Sequence, residues 1–236
     1  MIPWLSPHNT LFPPPDTALD EPNGLLAAGG DLSSERLLAA YRQGIFPWYS
    51  EGEPLLWWSP DPRTVFIPAN FHPSRSLRKR LRKGDWQLTF DHGFEAVMRA
   101  CAEATTTRPA TWINEEIITA YTRLHRAGHA HSVEVWQNDQ LVGGLYGIAL
   151  GQVFFGESMF SSTDNASKIA LACLMEKLSA WQFRLVDCQV VNPHLLSLGA
   201  IEIPRREFQS ILHQALPCAS LAPTGNWQSV RPPDFG

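Results

Sequence analysis

His131-Ser132-Val133-Glu134-Val135-Trp136-Gln137, then Leu141 to Ala149, then Gln152-Val153-Phe154-Phe155-Gly156-Glu157-Ser158 stand almost end to end, and the reading of this stretch decides the fold. Each run is short, β-branched or aromatic, and bounded by turn formers. Asn138-Asp139 supplies the first turn and Gly151 the second. Asn165 then caps a long helix in which Leu171, Leu174, Met175 and Leu178 recur at helical spacing. A buried strand over Phe183–Val191 completes the unit. Three strands, a helix and a strand predict an α+β domain built on one sheet.

Outward from this unit the signals remain regular. Trp86–Phe90 reads as a strand and Gly93–Ala104 as a helix. Asn114 caps a further helix with Ile117, Ile118, Tyr121 and Leu124 on one face, stopped by Gly128. Glu207–Ala215 is a final helix, and the proline-rich tail after Pro217 reads as irregular. The first sixty residues are dominated by turns and prolines. They contain one clear helix, Ser34–Gln43, capped by Ser33, carrying Leu37, Leu38 and Tyr41 on one face and stopped by Gly44. The aromatic segments Ile45–Tyr49 and Trp57–Pro62 do not read as regular structure. Pro60-Asp61-Pro62 is the best break in the chain, which predicts a small N-terminal domain over 1–62 and a larger domain over 63–236.

Composition narrows the function classes. The 236 residues are 44% hydrophobic and 18% charged, a balance that excludes intrinsic disorder. No apolar run approaches the roughly 18 residues that span a bilayer, so no membrane association is expected. The start Met1-Ile2-Pro3-Trp4 lacks the basic and apolar regions of a signal peptide. Cys101, Cys173, Cys188 and Cys218 are widely spaced with no Cys-x-x-Cys pair, which argues against a disulfide scaffold or structural zinc and for a cytoplasmic setting. The eight histidines, His125, His129 and His131 among them, lack a companion ligand set and read as solvated or capping; no metal is expected.

Charge speaks to a partner. The window 75–83 holds Arg75, Arg78, Lys79, Arg80, Arg82 and Lys83 and no acid. Removing this +6 from the net charge of −4 leaves the remainder at −10. Ser74 as cap, Gly84 as stop, and Leu77 and Leu81 as a narrow docking stripe make the segment a short basic helix. Such a helix on an acidic body suits an anionic partner, with phosphate the obvious candidate.

Strand-strand-strand-helix-strand is the central arrangement of GNAT-type acyltransferases. Those folds usually place a glycine-rich phosphate cradle before the helix. Here Met159-Phe160-Ser161-Ser162-Thr163-Asp164-Asn165 contains no glycine, and Asp164 repels phosphate. No nucleotide-binding glycine loop occurs elsewhere, so no cofactor is expected. Both observations weaken an acyl-CoA reading.

Six blocks then appear in order: Glu21-Pro22-Asn23-Gly24-Leu25-Leu26, Gly44-Ile45-Phe46-Pro47-Trp48, Leu56-Trp57-Trp58-Ser59-Pro60-Asp61-Pro62-Arg63, Gly156-Glu157-Ser158-Met159-Phe160-Ser161, Asn165-Ala166-Ser167-Lys168 and Asp187-Cys188-Gln189. With them the chain closely resembles the leucyl/phenylalanyl-tRNA–protein transferase family over nearly its whole length, the tail after about Pro217 excepted. The resemblance implies a small N-terminal domain on a GNAT-like catalytic domain. It also implies transfer of Leu or Phe, and Met less well, from aminoacyl-tRNA to the α-amino group of proteins beginning with Arg or Lys, feeding N-end rule degradation. A monomer is expected.

Residue roles follow from the same resemblance. Asp187 and Gln189, two apart on the predicted last strand, share a face; by resemblance Gln189 holds the acceptor α-amino group and Asp187 polarises or orients Gln189. Glu157 anchors the donor ammonium. Leu145, Phe154, Leu174, Leu178 and Val186 form the side-chain pocket, and Trp48 and Trp112 sandwich the terminal adenosine. Where the family pattern has methionine, phenylalanine, phenylalanine and isoleucine, this chain has Leu145, Leu174, Leu178 and Val186, which keeps the pocket apolar but changes its shape. Strict alternation places Phe154 and Glu157 on opposite faces of their strand; a bulge at Gly156 would reconcile them. The basic helix supplies tRNA backbone contacts. Two alternatives stand beside this reading: an acyl-CoA N-acyltransferase on the same fold, and an RNA-binding module without catalysis. The polar pair Asp187 and Gln189 speaks against the second.

Overall fold

Asn138 and Asp139 both adopt positive φ, the conformation of a two-residue hairpin turn, and Gly151 does so at the next reversal. The computed structural model, which describes residues 2–103 and 111–235, therefore joins β-strands Ala130–Gln137, Gln140–Leu150 and Val153–Ser161 into an antiparallel meander. In chain order the strands are β1 (Trp4–Leu5), β2 (Leu25–Gly29), β3 (Phe46–Pro47), β4 (Leu56–Trp58), β5 (Arg63–Phe66), β6 (Gln87–Phe90), β7, β8 and β9 of the meander, β10 (Leu185–Asp187) and β11 (Ile201–Ile203). The α-helices are α1 (Ser34–Tyr41), α2 (Arg75–Arg82), α3 (Phe94–Ala102), α4 (Glu115–Arg126), α5 (Ala166–Ala180), α6 (Pro193–Ser197) and α7 (Arg205–Ala215).

Among the described residues the larger sheet runs β11-β5-β10-β9-β8-β7-β6, antiparallel at every step except β10 beside β9. The parallel step arises because α5 carries the chain back across the sheet. This is the GNAT-like α+β arrangement the meander predicts. A smaller sheet, β1-β2-β4-β3, uses residues up to Trp58. The change of sheet falls between Trp58, where β4 ends, and Arg63, where β5 begins.

The two faces of the larger sheet bury different partners. On one, Phe154, Leu145 and Val186 join α5 residues such as Leu174 and the α2 residues Leu77 and Leu81. On the other, Tyr146 and Phe155 share a cluster with α3 and α4 and with Leu37, Tyr41 and Trp57 of the N-terminal segment. The N-terminal segment thus covers one face of the sheet and shares its core.

Several local expectations change. The last strand is three residues, not Phe183–Val191, because the backbone leaves the sheet after Asp187 and Gln189 turns left-handed at φ 59°. Ile45–Tyr49 and Trp57–Pro62 contribute the short strands β3 and β4, which pair with each other across Phe46 and Trp58. The final helix opens at Arg205, behind Pro204. Ser33, Ser74 and Asn114 cap their helices as expected, accepting from the N–H of Arg36, Leu77 and Ile117. Asn165 does not cap: it is itself left-handed, and the N–H of Ser167 instead donates to Ser161 Oγ at 3.1 Å. Ala104 of the predicted third helix lies outside the described residues.

Candidate active site

β9 runs on to Ser161 while its parallel neighbour β10 stops at Asp187, so the sheet opens into a gap. A cavity of about 520 Å³ occupies that gap. Its lining brings together Trp48, Trp112, Leu145, Phe154, Glu157, Leu174, Val186 and Gln189 from six separate segments. Phe46, Pro47, Phe66, Tyr146, Met159 and Leu171 complete much of the wall.

The cavity passes through the sheet rather than lying on one face. Leu145, Phe154, Leu174 and Val186 belong to the α5-side cluster, whereas Glu157 meets Tyr41 and Tyr121 on the opposite side. The β8–β9 register slips by one at Glu157, between Gly147 opposite Gly156 and Tyr146 opposite Ser158. The bulge therefore exists, but the open gap, not a shared face, is what lets Phe154 and Glu157 line one space. An apolar compartment on one side and a polar one on the other are the result.

Leu178 is fully buried and stands outside the lining, which corrects its expected place in the pocket. It lies one turn beyond Leu174 along α5.

The polar compartment rests on a buried ion pair. Arg63 Nε donates to Asp187 Oδ1 at 2.8 Å and Nη2 to Oδ2 at 2.7 Å, with both side chains wholly excluded from solvent. The rings of Phe46 and Phe208 flank the guanidinium at 4.9 and 4.6 Å. Such a planar, bidentate pair fixes orientation as well as charge. Asp187 Oδ1 also accepts the backbone N–H of Gln189 at 3.0 Å, and Cys188 N–H donates to Thr64 O at 2.8 Å. Asp187 thus acts on Gln189 through the main chain, not from a shared strand face. The bonded backbone holds Gln189 in its left-handed conformation, a strained one for a side chain with a Cβ. Its amide Nε2 reaches to 3.5 Å from Glu157 Oε1.

Glu157 is half-buried at the cavity floor. Tyr41 Oη donates to its Oε1 at 2.8 Å, Tyr121 Oη stands 3.2 Å from Oε2, and the two hydroxyls bond each other. Three contacts among three groups use three hydrogens, and the phenols hold two. A proton on the Glu157 carboxyl would supply the third. Burial, outweighing the hydrogen bonds from the tyrosines, pushes this carboxyl up from the ordinary 4.5 to about 8. Burial and the nearby Glu157 charge likewise raise both tyrosines well above their usual range.

At the mouth Trp48 is 42% exposed, an unusual state for so large a ring. Its main chain is held by Leu56 O and by the indole of Trp58, which donates to Trp48 O at 2.6 Å. Trp112 is half-buried on the same cavity. Arg63, Tyr41 and Tyr121 escaped the sequence reading. The two tyrosines looked like members of apolar helix faces, and only their hydroxyls hinted otherwise.

The remaining expected features lie elsewhere. Helix α2 stands off the cavity, docked by Leu77 and Leu81, with Arg75, Arg78, Lys79 and Arg82 exposed. Arg80 and Lys83 share Asp85, and Arg80 also lies over the Trp86 ring at 4.1 Å. At the α5 N-terminus, Ser161 Oγ and Thr163 O accept the N–H groups of Ser167 and Ala166. His131 is not solvated: it is buried against Asp91. Among the described residues no cluster of three His, Cys, Asp or Glu side chains is arranged to hold a metal.

This geometry accompanies clear likenesses to known proteins. The family model "Leucyl/phenylalanyl-tRNA protein transferase" matches residues 65–213, and that of the "Leucyl/phenylalanyl-tRNA protein transferase N-terminal domain" matches 30–61. A leucyl/phenylalanyl-tRNA–protein transferase from Cellvibrio japonicus is 62% identical over 212 residues, 90% of each chain. One from Photobacterium profundum is 60% identical over 90% of each chain, and one from Pseudomonas fluorescens SBW25 is 56% identical over 97% of this chain and all of its own. Among solved structures, a GCN5-related N-acetyltransferase from Kribbella flavida is similar at a TM-score of 0.36, with 8% identity over 71% of this chain and 59% of that one.

Proposed function

Because the chain belongs to the leucyl/phenylalanyl-tRNA protein transferase family and is an aminoacyltransferase, we propose that its cavity receives the acyl end of Leu-tRNA or Phe-tRNA. The acyl group then passes to the α-amino group of a protein beginning with Arg or Lys. Met serves as a weaker donor. The product carries a new N-terminal residue that marks it for N-end rule degradation, in the cytoplasm, and the enzyme acts as a monomer.

One observation carries the reading: an apolar compartment, an aromatic mouth and a polar floor meet where β9 and β10 part. The donor side chain lies against Leu145, Phe154, Leu174 and Val186. The terminal adenosine stacks between Trp48 and Trp112, a contact worth about 1–3 kcal/mol per base and indifferent to tRNA identity. The donor ammonium meets Glu157, and its charge draws the carboxyl back to the ionised form. Basic helix α2 holds the tRNA backbone.

The reaction needs little beyond placement. The acceptor amine attacks the ester carbonyl carbon, the amide C–N bond forms, the bond to the ribose oxygen breaks, and the amine proton ends on that oxygen. An α-amino group has a pKa near 8, so roughly a tenth of it is already neutral at pH 7. Gln189, its Nε2 turned to Glu157, keeps its carbonyl oxygen for an acceptor N–H. Arg63 and Asp187 hold that backbone still, and positioning of this kind supplies much of an acyl-transfer acceleration.

The test is incubation with labelled Leu-tRNA and two peptides beginning with Arg, one acetylated at its N-terminus. Label is expected in the free peptide alone. Transfer to neither overturns the proposal, and transfer to both removes the α-amino group as acceptor.

A further inference from the structure

The apolar compartment has a second layer. Its Phe154 wall is fully buried, and the ring lies so close to Gly147 that a Cβ there would fall 2.5 Å from Cε1. Across from β8, Phe154 packs on Trp227 with ring centroids 6.3 Å apart and planes inclined by 30°. Phe154 is therefore clamped between a glycine that leaves it no room and an indole that lets it go no deeper.

Trp227 belongs to neither helix nor strand. It sits in segment 226–235, which lies beyond the span matched by the family model. Yet it is 1% exposed. Its ring stacks on His131 at 3.6 Å with planes 5° apart and meets Trp181 at 4.8 Å and Phe90 at 6.2 Å. Its backbone N–H donates to Asp91 Oδ2 at 2.6 Å, the same buried oxygen that His131 Nδ1 approaches at 2.9 Å. Gln228 Nε2 adds a bond to Asp91 O at 3.0 Å. A segment without regular structure is thus held by Trp227 and Gln228, and the Trp227 ring backs the Phe154 wall of the cavity.

We propose that Trp227 is a positioning residue for donor selectivity: from behind Phe154 it sets the depth of the apolar compartment, and with it the preference between Leu and Phe. The inference rests on the reading that this compartment holds the donor side chain. Packed interiors transmit volume changes of a single methylene. Loss of bulk behind Phe154 lets the ring recede and favours the longer donor. Discrimination between apolar side chains rests on about 10–200-fold per methylene-sized change, so a wall displaced from behind moves it measurably.

The experiment compares kcat/KM for minimal Leu and Phe donors, each ending at the aminoacylated adenosine, in wild type, Trp227→Ala and Trp227→Phe, with Leu174→Phe as a control on the cavity wall itself. Trp227→Ala is expected to raise the Phe-to-Leu ratio by about tenfold and Trp227→Phe by about threefold. A purely structural role lowers both donors equally and leaves the ratio at its wild-type value, which overturns the inference. If Trp227→Ala does not fold, Trp227→Phe decides alone by the same criterion. Absence of transfer by the wild type, or an unmoved ratio in Leu174→Phe, strikes the compartment reading instead.

Discussion

Two aspartates in this protein each take two hydrogen bonds from one arginine, Asp187 from two nitrogens of Arg63 and Asp85 from the single Nη1 of Arg80, and the two pairs do opposite work. Arg63 and Asp187 meet in the sheet gap with no solvent exposure; Arg80 and Asp85 meet at the end of α2 with side chains 25% and 33% exposed. The bonds are alike in length, 2.7–2.8 Å against 2.9–3.0 Å. Environment makes the difference. A buried pair is locked to its geometry because separating the charges leaves one of them desolvated and alone. An exposed pair exchanges with water at small cost and leaves its cations free to meet a phosphate. The gap holds a fixed shape, and the end of the helix is free to rearrange.

Asp187→Ala breaks that contrast most severely. It strands Arg63 in an apolar site and releases the Gln189 backbone, so a loss of about 3–5 kcal/mol of stability is expected together with loss of transfer. Denaturant unfolding and transfer assays below the melting temperature separate the two effects. Gln189→Ala, which keeps the ion pair, should slow transfer with an unchanged Tm.

The acids also titrate in opposite directions, which gives the next largest effect. Burial raises Glu157 to about 8, while at Asp85 a desolvation penalty is outweighed by bonds from Arg80 and Lys83 and the carboxyl falls below its usual range. A raised folded pKa contributes stability that is complete below about pH 4.5 and is lost as pH rises through 8. Glu157→Gln carries no such titration. Its Tm should therefore gain on wild type by several degrees between pH 5 and pH 9, as about 1 kcal/mol corresponds to roughly 2–4 °C in a chain of this size. Parallel Tm curves would place Glu157 in a less desolvated state.

Neutralising Arg78, Lys79, Arg80 and Arg82 together tests the exposed region. Full-length tRNA should lose affinity regardless of sequence, and the slope of log affinity against log salt should flatten by about 0.7–0.9 per lost contact. A minimal donor ending at the aminoacylated adenosine should react at the wild-type rate. A wild-type salt slope would return α2 to an ordinary solvated face. Asp85→Ala is the mildest change. It should leave Tm near wild type and slightly tighten tRNA binding, because Arg80 and Lys83 lose their competing acid.

How much of this was legible follows from distance along the chain. Helix α2 reads directly, because Ser74, Leu77, Leu81 and six cations lie within ten residues. The apolar members Leu145, Phe154, Leu174 and Val186 read as buried, and the family likeness assigned them to one pocket. Leu178 did not belong there, since helical periodicity tells which residues share a face but not where along that face a cavity ends. His131 was misplaced for a related reason: its partners are Asp91 and Trp227, both far off in sequence.

Sequence alone determined the meander β7–β9 with the helix that follows it, the caps at Ser33, Ser74 and Asn114, and the charge of α2, all set by interactions within a few residues. Only the tertiary structure decided the site. Arg63 and Asp187 are 124 positions apart, Tyr41 and Glu157 are 116 apart, and Asp91 and Trp227 are 136 apart. Such meetings are fixed by sheet register and by where two parallel strands part company, and a polar group is drawn into them because a buried hydrogen-bonding atom needs a partner. Local periodicity carries no record of that need. The same arginine–aspartate chemistry that is a surface feature at Arg80 becomes the foundation of the site at Arg63 because the fold, and not the neighbouring residues, removes the water.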